Sequence, residues 1–160
     1  MSPFFLESFV NRKFRDSMIF KLINFYPPFL GAGVKVKPLN KEGTKLEVSM
    51  NLTRFNRNYV GTHFGGSLYS MCDPFYMLIL LRMLGKDYIV WDKSASIDFK
   101  RPGRGRVHAI FEITEDQFTE IKNKVDELGK FEPELLVEVK DHEGQVICEI
   151  SKKLWIKKKS

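Results

Sequence analysis

Apolar and polar residues alternate over Val34 to Leu39 and again over Thr44 to Leu52, where Leu46, Val48, Met50 and Leu52 share one face and Lys45, Glu47, Ser49 and Asn51 the other. Period-two alternation predicts strands with one buried face. "NKEG", Asn40 to Gly43, suits a tight turn between them and closes a hairpin. Tyr88 to Lys100 and Arg106 to Thr114 read as a second strand pair joined by "RPGRG". Glu134 to Lys140 and Gln145 to Lys157 form a third pair around "DHEG", Asp141 to Gly144, with Val146, Cys148, Ile150, Leu154 and Ile156 on one face.

Helical spacing appears in three places. From Phe4 to Tyr26 apolar residues recur at helical spacing, Phe5 and Phe9 and, further on, Met18, Leu22, Ile23 and Tyr26, predicting one amphipathic helix or two short ones that Pro27 and Pro28 stop. Phe118, Ile121, Val125 and Leu128 predict a short surface helix, capped by Asp116 and ended by Gly129. The third place is "NYVGTHFGGSLYSMCDPFYMLILLRML", residues 58 to 84, where Asp73 and Pro74 interrupt an apolar run. Pro74 has no N–H to give the carbonyl of Ser70 and biases Asp73 away from helical angles, at a cost of about 3 kcal/mol inside a helix. Asp followed by Pro is also a good start for a new helix. Local physics leaves a kinked helix from Gly65 to Leu84 and a helix restarting at Pro74 both open.

Length and composition narrow the picture. The 160 residues suffice for one domain, and 43% apolar and 13% aromatic residues exclude a disordered chain. Phe4, Phe5, Phe9, Phe14, Phe20, Phe25 and Phe29 crowd the start, enough to cover a partner subunit or ligand cavity as well as a core. The charge is +6, but much of the excess falls on Lys152, Lys153, Lys157, Lys158 and Lys159, read as a solvated strand end and tail. No basic helix with interleaved aromatics supports a nucleic-acid partner. The two cysteines, Cys72 and Cys148, have neither metal-site nor disulfide-framework spacing, so no metal is expected and a reducing cytoplasm is. "FYMLILLRML" is about half the ~20 residues a bilayer requires, and no signal peptide is read, so no stable membrane insertion is expected.

Three strand pairs with an apolar helix between the first two predict an α+β domain: an antiparallel six-stranded sheet packed on or wrapped around that helix. A ferredoxin-like arrangement would use a similar alternation. "NYVGTHFGGSLYSMCD" resembles the signature of hotdog-fold thioesterases of the phenylacetyl-CoA thioesterase-like group, with an Asn, a Gly-Gly pair and an acidic residue at this spacing. Together with "VWDKSASIDFKRPGRG" and the closing hairpin, the chain is similar to a branch of that superfamily known only as a domain of unknown function. The resemblance spans about residues 30 to 157. It implies a hotdog domain over 30–160 preceded by an N-terminal helical segment over 1–29, with a short inserted helix before the last strand pair.

The resemblance also implies a site. The Gly-Gly pair of that family opens the central helix, so Gly65 would present a free first-turn amide to a thioester carbonyl and Gly66 would let the backbone approach the substrate. Tight helix packing explains the same glycines. Asn58 matches the family's Asn, with Asn56 nearby as a rival and a turn role open to both. His63 stands one position before the place where the family has its His, which turns its side chain away. Asp73 matches the acidic position, a spacing that favours the kinked helix with Asp73 inside a cleft, as general base, nucleophile or mere helix cap; a base role requires burial to raise its pKa. Asp92 and Ser94 fall where related enzymes hold water, although Asp92, Ser94, Ser96 and Asp98 also suit a solvent face. Cys72 has no nearby His to activate it. Arg101 and Arg104 are candidates for coenzyme A phosphates, or a solvated turn.

The resulting expectation is an acyl-CoA thioesterase-like hydrolase that needs no cofactor and acts on acyl-CoA or another acyl thioester. It would be a homodimer or tetramer whose cleft takes Asn58 and Gly65 from one subunit and Asp73 from the other. The alternative is a non-catalytic acyl- or lipid-binding hotdog protein.

Overall fold

A computed structural model of the chain describes residues 22–159; Phe4, Phe5, Phe9, Phe14, Phe20 and most of the expected N-terminal helix lie outside the described residues. At the start, a 3-10 turn, Ile23–Phe25, leads into α1, Pro27–Ala32. Pro27 and Pro28 thus open a helix as well as ending the turn before it. They occupy its first positions, where a missing N–H leaves no helical bond unmade. Phe29 of α1 is buried against Phe75, so this segment's end belongs to the core.

The strands are β1 (Val34–Pro38), β2 (Lys45–Asn51), β3 (Tyr88–Phe99), β4 (Arg106–Glu112), β5 (Lys130–Phe131), β6 (Glu134–Asp141) and β7 (Val146–Lys158). They form one antiparallel sheet in the order β1-β2-β4-β6-β7-β3, and the short β5 pairs with the end of β7. The expected six-stranded sheet therefore gains a two-residue strand, in line with β6 beyond Glu132 and Pro133.

The first and third hairpins form as the alternation predicts. In the first, Asn40 Oδ1 accepts from the amides of Thr44 (3.1 Å) and Lys45 (3.2 Å), and Gly43 takes a φ of 68°. In the other, Asp141 Oδ1 accepts from the amides of Glu143 and Gln145, both at 2.9 Å, and Gly144 takes a φ of 82°. Both turns need a left-handed residue, which glycine supplies without strain.

The second expected hairpin is not one. β3 pairs only with β7, and β4 pairs with β2 and β6, so two strands separate them. "RPGRG" is a crossover over the end of the sheet, long enough at ~3.3 Å per residue to pass strands spaced ~4.8 Å apart. The amides of Lys100 and Arg101 both donate to Ile147 O, tacking the crossover to β7.

Against the concave face lie α2 (Gly65–Ser70) and α3 (Phe75–Leu84), in place of one kinked helix. Phe75, Tyr76, Ile79 and Leu80 of α3 are buried on Val48, Val107, Phe111, Val139, Ile150 and Leu154 from the strands. Phe29, Phe75 and Phe111 stack in series, with centroids 5.8 and 5.1 Å apart, and Tyr76 meets Phe111 edge-on at 5.0 Å. On the outer face Trp91 of β3 stacks on Trp155 of β7 at 4.6 Å and 19°.

The inserted helix, α4, spans Glu115–Leu128 and ends at Gly129 as expected, but its cap is Thr114 rather than Asp116. Thr114 Oγ1 accepts from Gln117 N, and Gln117 Oε1 from Thr114 N, a reciprocal pair that takes two otherwise free amides. Ile121 and Val125 dock the helix, and Asp126 gathers Tyr88, Lys122 and Lys158 around its carboxylate.

Candidate active site

α2 ends at Ser70 and α3 begins at Phe75, and the turn between them turns Asp73 outward beside the apolar core. Its side chain is 49% exposed, which corrects the burial expected of a base at this position, and lines a cleft of about 380 Å3 with Tyr26, Pro28, Phe29, Tyr69, Ser70 and Pro74. The wall is mostly aromatic and apolar, with Ser70 and Asp73 as its polar members. A second cavity, about 300 Å3, lies on the outer sheet face between β4 and β6, away from these groups.

Behind Asp73 stands Lys152, a residue assigned by charge alone to a solvated tail. It is fully buried. Its Nζ lies 3.1 Å from Asp73 Oδ1, 3.1 Å from Asp92 Oδ1 and 3.3 Å from the Tyr69 hydroxyl. The contact with Asp73 is a hydrogen bond; that with Asp92 is an ion pair off the hydrogen-bonding direction. Burial works to lower the Lys152 pKa, but the charges of Asp92 and Asp73 outweigh it and the group sits above its ordinary value. Asp92 is pushed up by its own burial, with Lys152 opposing. Tyr69 is likewise raised, by burial and then by Asp73.

Lys152 sits in the same inward row as Cys148, Ile150, Leu154 and Ile156, so the period-two signal that found those residues also marks it. Tyr69 carries no comparable signal.

Asp92 faces the cluster in step with the inward Tyr88 and Val90, and a bulge follows it at Lys93. Asp92 pairs with Leu154 on the core side; past the bulge, Ser94 pairs with Lys153 and Ser96 with Ser151. The extra residue reverses the alternation, so Ser94 faces away from Asp92 instead of sharing its face.

The loop before α2 is occupied with its own structure. Asn58 Oδ1 accepts from the amides of Val60 (3.1 Å) and Thr62 (3.0 Å), while Nδ2 donates to Thr62 Oγ1 (2.9 Å) and His63 O (3.2 Å). Asn56, also buried, ties this loop to Ala32 and Asn51 through Nδ2. His63 is buried against the crossover: Nε2 donates to Gly105 O at 2.9 Å, leaving Nδ1 without a partner among the described residues. Burial lowers its pKa, so the ring is neutral at neutral pH.

Gly65 and Gly66 open α2, where the first amides have no partner within the helix. Rings cover both: a Cβ on Gly65 would meet Phe99 at 2.9 Å, and one on Gly66 would run into Phe64. Gly65 and Asp73 lie at opposite ends of α2, on the order of 10 Å apart at 1.5 Å per residue. Arg101 donates to Val146 O at 3.2 Å, and Arg104 is exposed on the same crossover.

An antiparallel sheet packed on a broken central helix is the hotdog fold. Within that class, residues 16–156 match the family described as "Domain of unknown function (DUF4442)", and the chain belongs to it. Among solved structures it is similar to a Pseudomonas aeruginosa protein of unknown function described as a probable thioesterase (TM-score 0.76, 17% identity, covering 89% of this chain and 95% of that one). A protein of unknown function from Chlorobaculum tepidum gives a TM-score of 0.69 at 19% identity, with 89% and 94% covered. A thioesterase from Haemophilus influenzae gives 0.63 at 12% identity, with 86% and 87% covered. At these identities the likeness establishes the fold. No curated protein matches the chain.

Proposed function

We propose that the chain is an acyl-CoA thioesterase-like hydrolase acting as a homodimer. The observation that carries this reading is Asp73: a half-exposed carboxylate at a helix break, in the wall of a mostly apolar cleft. One step accounts for the arrangement. Asp73 takes a proton from water as its oxygen bonds to the thioester carbonyl carbon, and the tetrahedral oxyanion is met by the Gly65 amide. Collapse breaks the C–S bond, and the leaving thiolate takes the proton from Asp73.

Gly65 and Asp73 are too far apart in one chain to address one carbonyl, so the donor comes from a second subunit placed along the open edge of β3. Gly66 lies beside the donor, Asp92 lies behind Asp73 across the Lys152 ammonium, and Arg101 and Arg104 offer charge to the nucleotide phosphates. Asn58 and His63 act by shaping the loop that presents Gly65, and Ser94 lies on the outer face. A reducing, cytoplasmic setting suits the two buried free thiols, Cys72 and Cys148.

Thiol release from a panel of acyl-CoAs tests the reading. Asp73→Asn is expected to lower kcat by roughly 100-fold or more, within the range of general base catalysis. Turnover unaffected by that substitution removes Asp73 from the mechanism.

A second reading, a non-catalytic acyl or lipid binder, is favoured by the self-contained hydrogen bonding of Asn58 and the inward turn of His63. Native mass spectrometry distinguishes it: a stoichiometric acyl ligand that persists uncleaved supports binding alone.

A further inference from the structure

A lysine in the core-facing row of β7 demands a counterpart. Between Ile150 and Leu154 an apolar residue would complete the row, and an ammonium withdrawn from water is costly unless its charge and its donors are both met. Here they are met from three directions: Tyr69 at the end of α2, Asp73 in the break, and Asp92 on β3. Asp92 takes the inner side in step with Tyr88 and Val90, just before the β3 bulge at Lys93.

The remaining titratable groups here are neutral. Burial pushes the Cys72 thiol well above its ordinary value, the Cys148 thiol to about 12 and the Tyr76 hydroxyl to about 12, and Tyr76 donates to Leu136 O at 2.8 Å. The charged set is one ammonium between two carboxylates. Asp92 is 22% exposed and Asp73 49%, so the inner acid anchors the ammonium while the outer one meets the cleft.

We propose that Lys152 is a positioning residue: anchored by Asp92 from the sheet, it holds Asp73 by Oδ1 across the helix break and leaves the second carboxylate oxygen to the cleft. A carboxylate on a turn between two short helices otherwise has several rotamers, and misplacement of a reacting group by about 1 Å can cost 100-fold in rate. The proposal rests on the reading of Asp73 as the reacting carboxylate.

Lys152→Met, Lys152→Arg and Asp92→Asn test it through two readouts. With an acyl-CoA substrate, Lys152→Met lowers kcat by about 10- to 100-fold while KM stays within about twofold, and Lys152→Arg restores part of kcat. By carbon-13 NMR, the Asp73 carboxyl resonance moves in Lys152→Met and also in Asp92→Asn, whose side chain lies against the same ammonium. A folded Lys152→Met protein with the wild-type kcat overturns the proposal, as does an Asp73 resonance unmoved in both variants. Wild-type protein that cleaves no acyl thioester removes the hydrolase reading alone, and the resonance then decides the role of Lys152. Should Lys152→Met not fold, Lys152→Arg and Asp92→Asn carry the same comparison.

Discussion

Lys152 and Asp92 make opposite demands on pH. The Lys152 pKa is raised on folding, so its stabilisation is complete below the unfolded value of ~10.4 and disappears as pH climbs through the higher folded value. Urea midpoints should therefore hold to about pH 10 and fall beyond it, and the fall should be shallower in Lys152→Met. Asp92 is raised as well, chiefly by burial, so its contribution is present below ~3.9 and lost as pH rises through its folded value. At neutral pH its ionised form is a cost that Lys152 offsets. Adding Asp92→Asn to Lys152→Met should consequently recover stability that Lys152→Met alone loses, a sign readable in a double-mutant cycle of denaturant midpoints. The sequence contained the position of Lys152, in step with Ile150 and Leu154, but its charge argued for solvent. What overrides that argument is two acids and a phenol remote in sequence, which a single strand's pattern does not show.

Among the elements, α4 and α3 offer contrasting tests. Thr114→Ala removes a reciprocal cap and should cost about 1 kcal/mol in chemical denaturation. Asp116→Ala should cost less, since Asp116 contributes only charge to the first turn. Phe75→Ala opens the Phe29–Phe75–Phe111 stack and should cost about 3–5 kcal/mol by the same measurement. Strand periodicity and turn chemistry located both true hairpins because every determinant lies within a few residues. The crossover 100–105 defeats the same reasoning: "RPGRG" has turn residues, and its partners Ile147 and His63 are distant in the chain. The bulge at Lys93 leaves no mark in the polar run that follows Asp92, and it is what parts Ser94, on the solvent face, from Asp92, on the inner one. At the helix break, local physics allowed a kink or a restart, and packing of Phe75 and Tyr76 into the sheet resolved it into two helices.

For the whole molecule, the long β3 is paired on one side only among the described residues, whereas the Asn24 amide covers part of the opposite edge by donating to Val36 O and accepting from Val36 N. An uncovered strand of this length is a template for pairing. Sedimentation should accordingly give twice the 18.7 kDa of one chain, and a monomer at micromolar concentration would remove the shared-cleft reading. Trp91 and Trp155, the two tryptophans of the chain, are stacked on the two outermost strands at that margin. Their indoles absorb as one coupled chromophore. Its near-ultraviolet dichroism is a native label for this rim of the protein, and should respond when a mate docks there or when β3 peels away, with no dye attached.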